Sequence, residues 1–409
     1  MNKLPFLVIS IAFLAGCQTA PKVVKATPPP ARASKLSPDQ LISAYKRQVA
    51  NDPQGAIGWS QLSLAYLSRS RAYDSYDDAR RAEESARKSL EVRRRGNVMA
   101  AVRLTQSLLN QHRFQDALAS SADAMKIASY SPPAQFSRME CLIETGRYEE
   151  AKALFVKVGN NLSERDRLLI RSRMYEIYGQ PDRAIELVSR LLIKDSSAPE
   201  SRAFLYTRLA DLFWSIRDLE QAEKNYSQAL ELAPKTWKAM LGSVRVAHAR
   251  KDWQRVVKLG HETEELVHMT DLVSLMGDAY FAMWDQAMAK EHFGEAAQLA
   301  GYPLGEETHS HGDGKPHSHT KKHGHPLDRQ YARFAADHRL NLDNALKAAR
   351  EDMKQRQDII GWDTLAWVHY QRGEVAEARK AMNKAMQTGS KDVALVRHAE
   401  LIFGDAEVP

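Results

Sequence analysis

Nine small residues at a nearly fixed interval constrain this chain more than any other feature. Ala82, Ala117, Ala151, Ala184, Ala222, Val256, Ala289, Ala345 and Ala378 follow one another at steps of 35, 34, 33, 38, 34, 33, 56 and 33 residues. Around the fifth of them, residues 204–234 read as two helices back to back. Tyr206, Leu209, Ala210 and Phe213 share a face of the first, and Ala222, Tyr226 and Ala229 a face of the second, before Pro234 blocks continuation. Large residues alternate with small ones because two helices cross closely only where an alanine admits the neighbour's ring. Such a unit buries its apolar face only on its neighbours. The 409 residues therefore need not divide into the two or three globular domains that their length would suggest.

The order aromatic, Leu, Gly/Ala, Tyr/Phe, Ala, aromatic, Ala, Pro resembles the tetratricopeptide repeat, whose period is about 34 residues. Further copies carry the resemblance: Trp59, Leu62 and Tyr66; Gly277, Tyr280, Ala289, Phe293 and Ala296; Trp362, Leu365, Ala366, Ala378 and Ala385. It covers roughly residues 57–403 and implies an all-α fold, a TPR-type α-solenoid in which helix-turn-helix repeats form a right-handed superhelix. Gly146 and Gly373 fall where such units turn, a place that favours positive φ. Nine units are expected over residues 39–300 and 327–403, closed by a capping helix at about 392–403 and a short tail at 404–409. Two departures stand out. Residues 68–78 are expected to lengthen the turn of the first unit, and the 56-residue step places an insertion at 301–326. Arg171 and Ser172 occupy positions that are normally apolar and small.

Residues 1–16 carry a basic start at Lys3, an apolar run over 4–14 and small residues before Cys17. The run is shorter than the ~20 apolar residues a bilayer span needs, so it reads as a secretory signal. Leu14-Ala15-Gly16-Cys17 resembles a bacterial lipobox, which implies cleavage before Cys17 and lipid attachment to its sulfur. Several acyl chains give stable anchoring where one gives only marginal binding. By the same analogy Gln18 favours the outer membrane, with the protein facing the periplasm. Residues 17–38, rich in proline and lysine without apolar periodicity, read as an extended tether. Ser37-Pro38-Asp39 then opens a helix.

The formal charge of +7 and pI near 9.2 suggest an anionic partner at first sight. Lys and Arg are nevertheless spread beside Asp and Glu along the chain, without the basic stripe and interleaved aromatics that a nucleic-acid binder gathers. No phosphate-binding loop, dinucleotide fingerprint, nucleophile elbow or His-Glu-x-x-His occurs. The chain therefore reads as a non-enzyme that requires no cofactor.

Residues 306–326 break the pattern. His309, His311, His317, His319, His323 and His325 form three His-x-His pairs among Gly, Pro, Ser and Lys. Neutral imidazole ligates zinc, nickel and copper, but this stretch lacks the fixed spacing of an ordered site, so weak, exchangeable binding is expected. Cys141 falls mid-core as a small apolar residue, and with Cys17 lipidated it has no disulfide partner.

By the family resemblance, first helices line a concave groove, and the lining positions are Thr207, Asp211, Trp214, Arg245, His248, Asp278, Phe281, Trp367 and Tyr370. Aromatics and arginine dominate binding hot spots, although Trp214 and Trp367 also suit packing against the next repeat. His248 and His369 fall on first helices, His112 and His338 at turns, and His398 in the capping helix. The sequence thus points to a lipid-anchored envelope scaffold that binds proteins or peptides. The alternative is a metal-handling accessory protein that uses the histidine-rich loop.

Overall fold

The computed structural model describes residues 36–194, 198–302 and 328–404. The signal, Cys17 and its linker up to residue 35, the six loop histidines and the last five residues lie outside the described residues. Within them the chain is helical throughout, without strands.

A leading helix, α1 (Pro38–Asn51), is followed by nine helix pairs. They are α2 (Ala56–Tyr73) with α3 (Tyr76–Val92), α4 (Val98–Asn110) with α5 (Phe114–Ile127), and α6 (Pro132–Glu144) with α7 (Tyr148–Val158). Next come α8 (Glu164–Ile177) with α9 (Pro181–Lys194), α10 (Pro199–Ser215) with α11 (Leu219–Leu232), and α12 (Trp237–Ala249) with α13 (Trp253–Glu264). The last three pairs are α14 (Thr270–Ala282) with α15 (Gln286–Leu299), α16 (Asp328–Asp337) with α17 (Leu342–Gln355), and α18 (Ile359–Gln371) with α19 (Val375–Ala385). A terminal α20 (Val393–Phe403) lays Leu395, Ala399 and Ile402 on Ala378, Ala381 and Met382 of α19, covering the open end.

Local chemistry sets the helix starts. Ser37 and Gln40 form a reciprocal capping box ahead of Pro38, and Asp218, Asp252 and Asp285 each accept a backbone N–H at the start of a second helix. All nine ruler residues are buried, at most 2% exposed. Ser172 suits its small position because its hydroxyl donates to the Ala184 carbonyl across the unit (3.3 Å), as Ser63 donates to Ala82 (2.8 Å).

That shared bond corrects the reading of the first unit. Its extra residues do not lengthen the turn, which is only Asp74 and Ser75. They lengthen both helices, to 18 and 17 residues, while Ala82 keeps the packing role of Ala184. Ser68-Arg69-Ser70-Arg71-Ala72 has no helix breaker. The Arg69 guanidinium, paired with Asp78 across the hairpin and with Asp39 of α1, holds the extra turns together.

First helices of successive units pack on one another (α2 on α4, α4 on α6, α10 on α12, α16 on α18), whereas no pair of successive second helices does so to a comparable extent. First helices therefore form the inner, concave wall. The array also curls far enough to meet itself: the turns of the first four pairs touch connections that lie five or six units further on.

Candidate partner-binding wall

The inner wall is organised by the residue that follows the small position of each first helix. From the second unit onward this column reads Gln106, Glu140, Arg173, Asp211, Arg245 and Asp278, with Trp367 in the ninth unit. From Glu140 to Asp278 the charge alternates in sign. Partners from adjacent first helices make a ladder. Arg173 donates to Glu144 (2.9 Å), Arg208 pairs with Glu176, and Arg245 donates to Asp271 (3.0 Å). Asp278 then accepts from His248 (2.8 Å) and from His338 (2.7 Å). Trp367 Nε1–H donates to Asp337 (2.8 Å) and its ring stacks on His398, 4.2 Å between centroids. His398 in turn bonds Asp363.

These groups are wetted but closely surrounded by protein. Glu140 is half-buried, and burial is the main cause that pushes its carboxyl up to about 7, against the opposing pull of Arg71. Burial likewise raises Asp211, partly offset by the Tyr226 hydroxyl that donates to it at 2.7 Å. His338 sits between two acceptors, the Asp278 carboxylate at Nε2 and the Phe334 carbonyl at Nδ1 (2.8 Å), so both ring nitrogens carry protons. Burial alone would lower its pKa, but the Asp278 hydrogen bond and charge outweigh it and the net shift is upward. Asp278 moves the opposite way: burial opposes ionisation, the two histidines favour it more, and its pKa is lowered.

The residues expected to line the groove divide into three groups. Asp211, Arg245, His248 and Asp278 belong to the ladder, already engaged with neighbours. Phe281, one helical turn beyond Asp278, is 63% exposed, and Trp214 and Tyr370 are half-buried. Thr207 and Trp367 do not line an open surface. Thr207 is buried with its hydroxyl bonded to the Ala203 carbonyl (2.8 Å), and Trp367 is buried between His398 and Tyr370. A Thr hydroxyl can satisfy itself on the carbonyl four residues back in its own helix, which helical spacing alone does not reveal.

Glu140, Glu144, Arg173, Glu176 and Arg208 belong to the wall and were missed by the sequence reading. The ruler contained the signal for two of them, since Glu140 and Arg173 stand in the same repeat position as Asp211, Arg245 and Asp278. Among the described residues no group of three or more His, Cys, Asp or Glu side chains could hold a metal ion. Cys141 is fully buried, with its thiol pushed up to about 12 by burial, so it is inert.

Comparison with known proteins agrees with this architecture. A tetratricopeptide-repeat family model matches residues 207–255, from within the first helix of the fifth unit to the start of the second helix of the sixth. The human IFIT1 dimer with PPP-AAAA shares 14% identity, covering 86% of this chain and 77% of that one at a TM-score of 0.52. An IFIT1 monomeric mutant with Gppp-AAAA is similar at 14% identity, 86% and 76% coverage and a TM-score of 0.54. A tetratricopeptide repeat protein from Parabacteroides merdae shares 16% identity over 58% of this chain and 93% of its own, with a TM-score of 0.39. No curated protein matches significantly in sequence. The chain is an all-α helical-repeat solenoid with tetratricopeptide-repeat sequence at its centre. Solenoids of this kind present extended concave surfaces for interaction.

Proposed function

We propose that this protein is a scaffold of a bacterial envelope, anchored by lipid at Cys17, which holds an extended stretch of another protein along its inner wall during assembly of an envelope complex. The observation that carries the reading is the unbroken inner column from Glu140 to Asp278, flanked by the accessible rings of Trp214 and Phe281. Rigid aromatics beside fixed charges give both contact area and register to an extended chain.

The IFIT1 structures are named for complexes with triphosphate or capped RNA, but likeness at 14% identity speaks to fold alone. Here Arg173, Arg208 and Arg245 are each paired with a carboxylate, which leaves little free positive charge for a polyphosphate chain. Glu144, Glu176, Asp211, Asp271 and Asp278 are each engaged by an Arg, Tyr or His side chain in a structural contact, which supports a non-catalytic role. The metal-handling alternative rests on residues 306–326 alone.

Two measurements test the proposal. Cys17→Ser protein is expected to leave the membrane fraction or remain an uncleaved precursor. Wild-type protein without a lipid mass on Cys17 would contradict the anchor. Affinity capture from detergent-solubilised membranes is expected to return a defined protein that is lost when Trp214 and Phe281 are both changed to Ala. Undiminished capture by that variant would remove the wall from the binding site.

A further inference from the structure

One edge of the solenoid carries the turn inside each helix pair, and each of these turns places a residue at positive φ. In units one, two, five, six, seven and eight that residue is Asp74, His112, Arg217, Lys251, Trp284 and Arg339, with φ between 48° and 66°. The backbone there tolerates side chains, so glycine is not needed for its φ alone. Units three, four and nine nonetheless use Gly146, Gly179 and Gly373.

The reason differs among the three. A Cβ on Gly146 would lie 2.3 Å from the Gln357 carbonyl oxygen, and one on Gly179 would lie 1.9 Å from that of Gly389. A Cβ on Gly373 would meet nothing within 4 Å. Glycine thus stands at two turns where backbone from the far end of the molecule leaves no room for a Cβ.

The contacts between them form a continuous seam. Gln357 N–H donates to the Thr145 carbonyl (3.3 Å), and Ile359 N–H donates to the Tyr148 hydroxyl (3.0 Å). Gln115 donates to the Gln355 carbonyl, and the Arg356 guanidinium lies over the Phe114 ring, 4.2 Å from its centroid. The far side of the seam is rigid. Arg329 donates to Asp352 and, through both terminal nitrogens, to Asp358, and Asp358 also caps α18. The extended hairpin of unit one reaches across as well, for Trp237 Nε1–H donates to the Arg71 carbonyl (2.9 Å).

We infer that the solenoid is latched into a closed turn along the Gly146/Gln357 and Gly179/Gly389 seam, and that this latch governs access of an extended polypeptide to the inner wall. The second half rests on the scaffold reading given above, and the first does not. Closure turns the wall into a lumen, which accounts for groups such as Glu140 that water reaches but protein surrounds. A chain segment enters it lengthwise or through an opened seam, whereas a folded domain is excluded from the closed form.

The experiment uses the mature protein with spin labels on Lys152→Cys and Lys354→Cys, either side of the seam. Gly146→Ala and Gly179→Ala are compared with Gly373→Ala, which carries the same positive-φ strain without the collision. Distances by double electron–electron resonance are expected to lengthen or broaden in the first two and to match wild type in the third. Gln115→Ala, a milder change, is expected to shift in the same direction. Separately, a Glu140→Cys reporter is read by its reaction with a bulky polymer maleimide relative to a small one. That ratio is expected to rise about fivefold or more with Gly146→Ala, since overpacking of this kind shifts an equilibrium by at least that factor. Unchanged distances in both seam variants, with helical content intact, would overturn the latch. Lengthened distances with an unchanged labelling ratio would overturn its control of access. Neither readout requires a partner, so failure of the scaffold reading is distinguishable from failure of the latch.

Discussion

Gly242→Ala isolates the close helix crossing on which the repeat depends. In the interior of a helix, alanine replaces glycine with a gain of up to ~1 kcal/mol in propensity. Here Gly242 of α12 faces Tyr226 of α11, and a Cβ would lie 2.2, 2.3 and 2.6 Å from three of its ring carbons. The ring cannot simply retreat, because it is 1% exposed and its hydroxyl is held by Asp211 at 2.7 Å. Overpacking costs about 1–3 kcal/mol, and losing the hydroxyl bond would add about 1 kcal/mol. Strain exceeds propensity, so the variant is expected to be less stable by about 1–3 kcal/mol. Gly294→Ala in α15 supplies the contrast, for a Cβ there meets nothing within 4 Å and the change is expected to stabilise by up to ~1 kcal/mol. Long repeat arrays depart from all-or-none unfolding, so urea titration by circular dichroism is paired with hydrogen exchange of amides in α10–α12. Adding Tyr226→Leu to Gly242→Ala should cost less than the sum of the single changes. The packing argument fails if Gly242→Ala is as stable as wild type, or shifts in the same direction as Gly294→Ala.

Arg329→Met is expected to destabilise by about 3–5 kcal/mol, because it leaves Asp352 and Asp358 buried with only Arg356 for compensation; an unfolding midpoint close to wild type would refute this. The His248–Asp278–His338 rung predicts a two-sided pH profile. His338 is raised above its ordinary value of about 6.5, so its contribution is complete below that pH and is lost as pH rises through the elevated pKa. Asp278 is lowered, so its contribution is present above the ordinary Asp value and is lost as pH falls through the depressed pKa. His248, the Asp337 charge and the Phe293 and Phe334 rings complete the surroundings of this rung. Urea stability measured against pH should therefore differ in shape between wild type and Asp278→Asn, and superimposable profiles would contradict the assignment.

Much of the fold was legible because one signal was repeated. A buried alanine is uninformative alone, but eight alanines and a valine in register fix the helix pairs. The first unit was misread because its extra residues were counted without asking whether they break a helix, and Ser68 to Ala72 do not. On the inner wall, the family resemblance pointed to Asp211, Arg245 and Asp278 but could not show that Thr207 bonds its own helix or that Trp367 is sandwiched by His398. The seam was illegible for a different reason. Its contacts join residues 166 or more positions apart, such as Tyr148 and Ile359 at 211, and depend on superhelical curvature that no single repeat contains. Of the three glycines at turns, only Gly146 and Gly179 face it, and Gly373 looks the same in the sequence.

The most direct measurement of the central claim is site-specific photocrosslinking in the cell that makes the protein. A photoreactive amino acid is placed at Trp214, Glu140 or Phe281 on the inner wall, and at Val156, 79% exposed on the outward helix α7. The account predicts a discrete protein adduct from the wall positions and none from Val156. Adducts from Val156 with a silent wall, in both the native and the Gly146→Ala background, would contradict it.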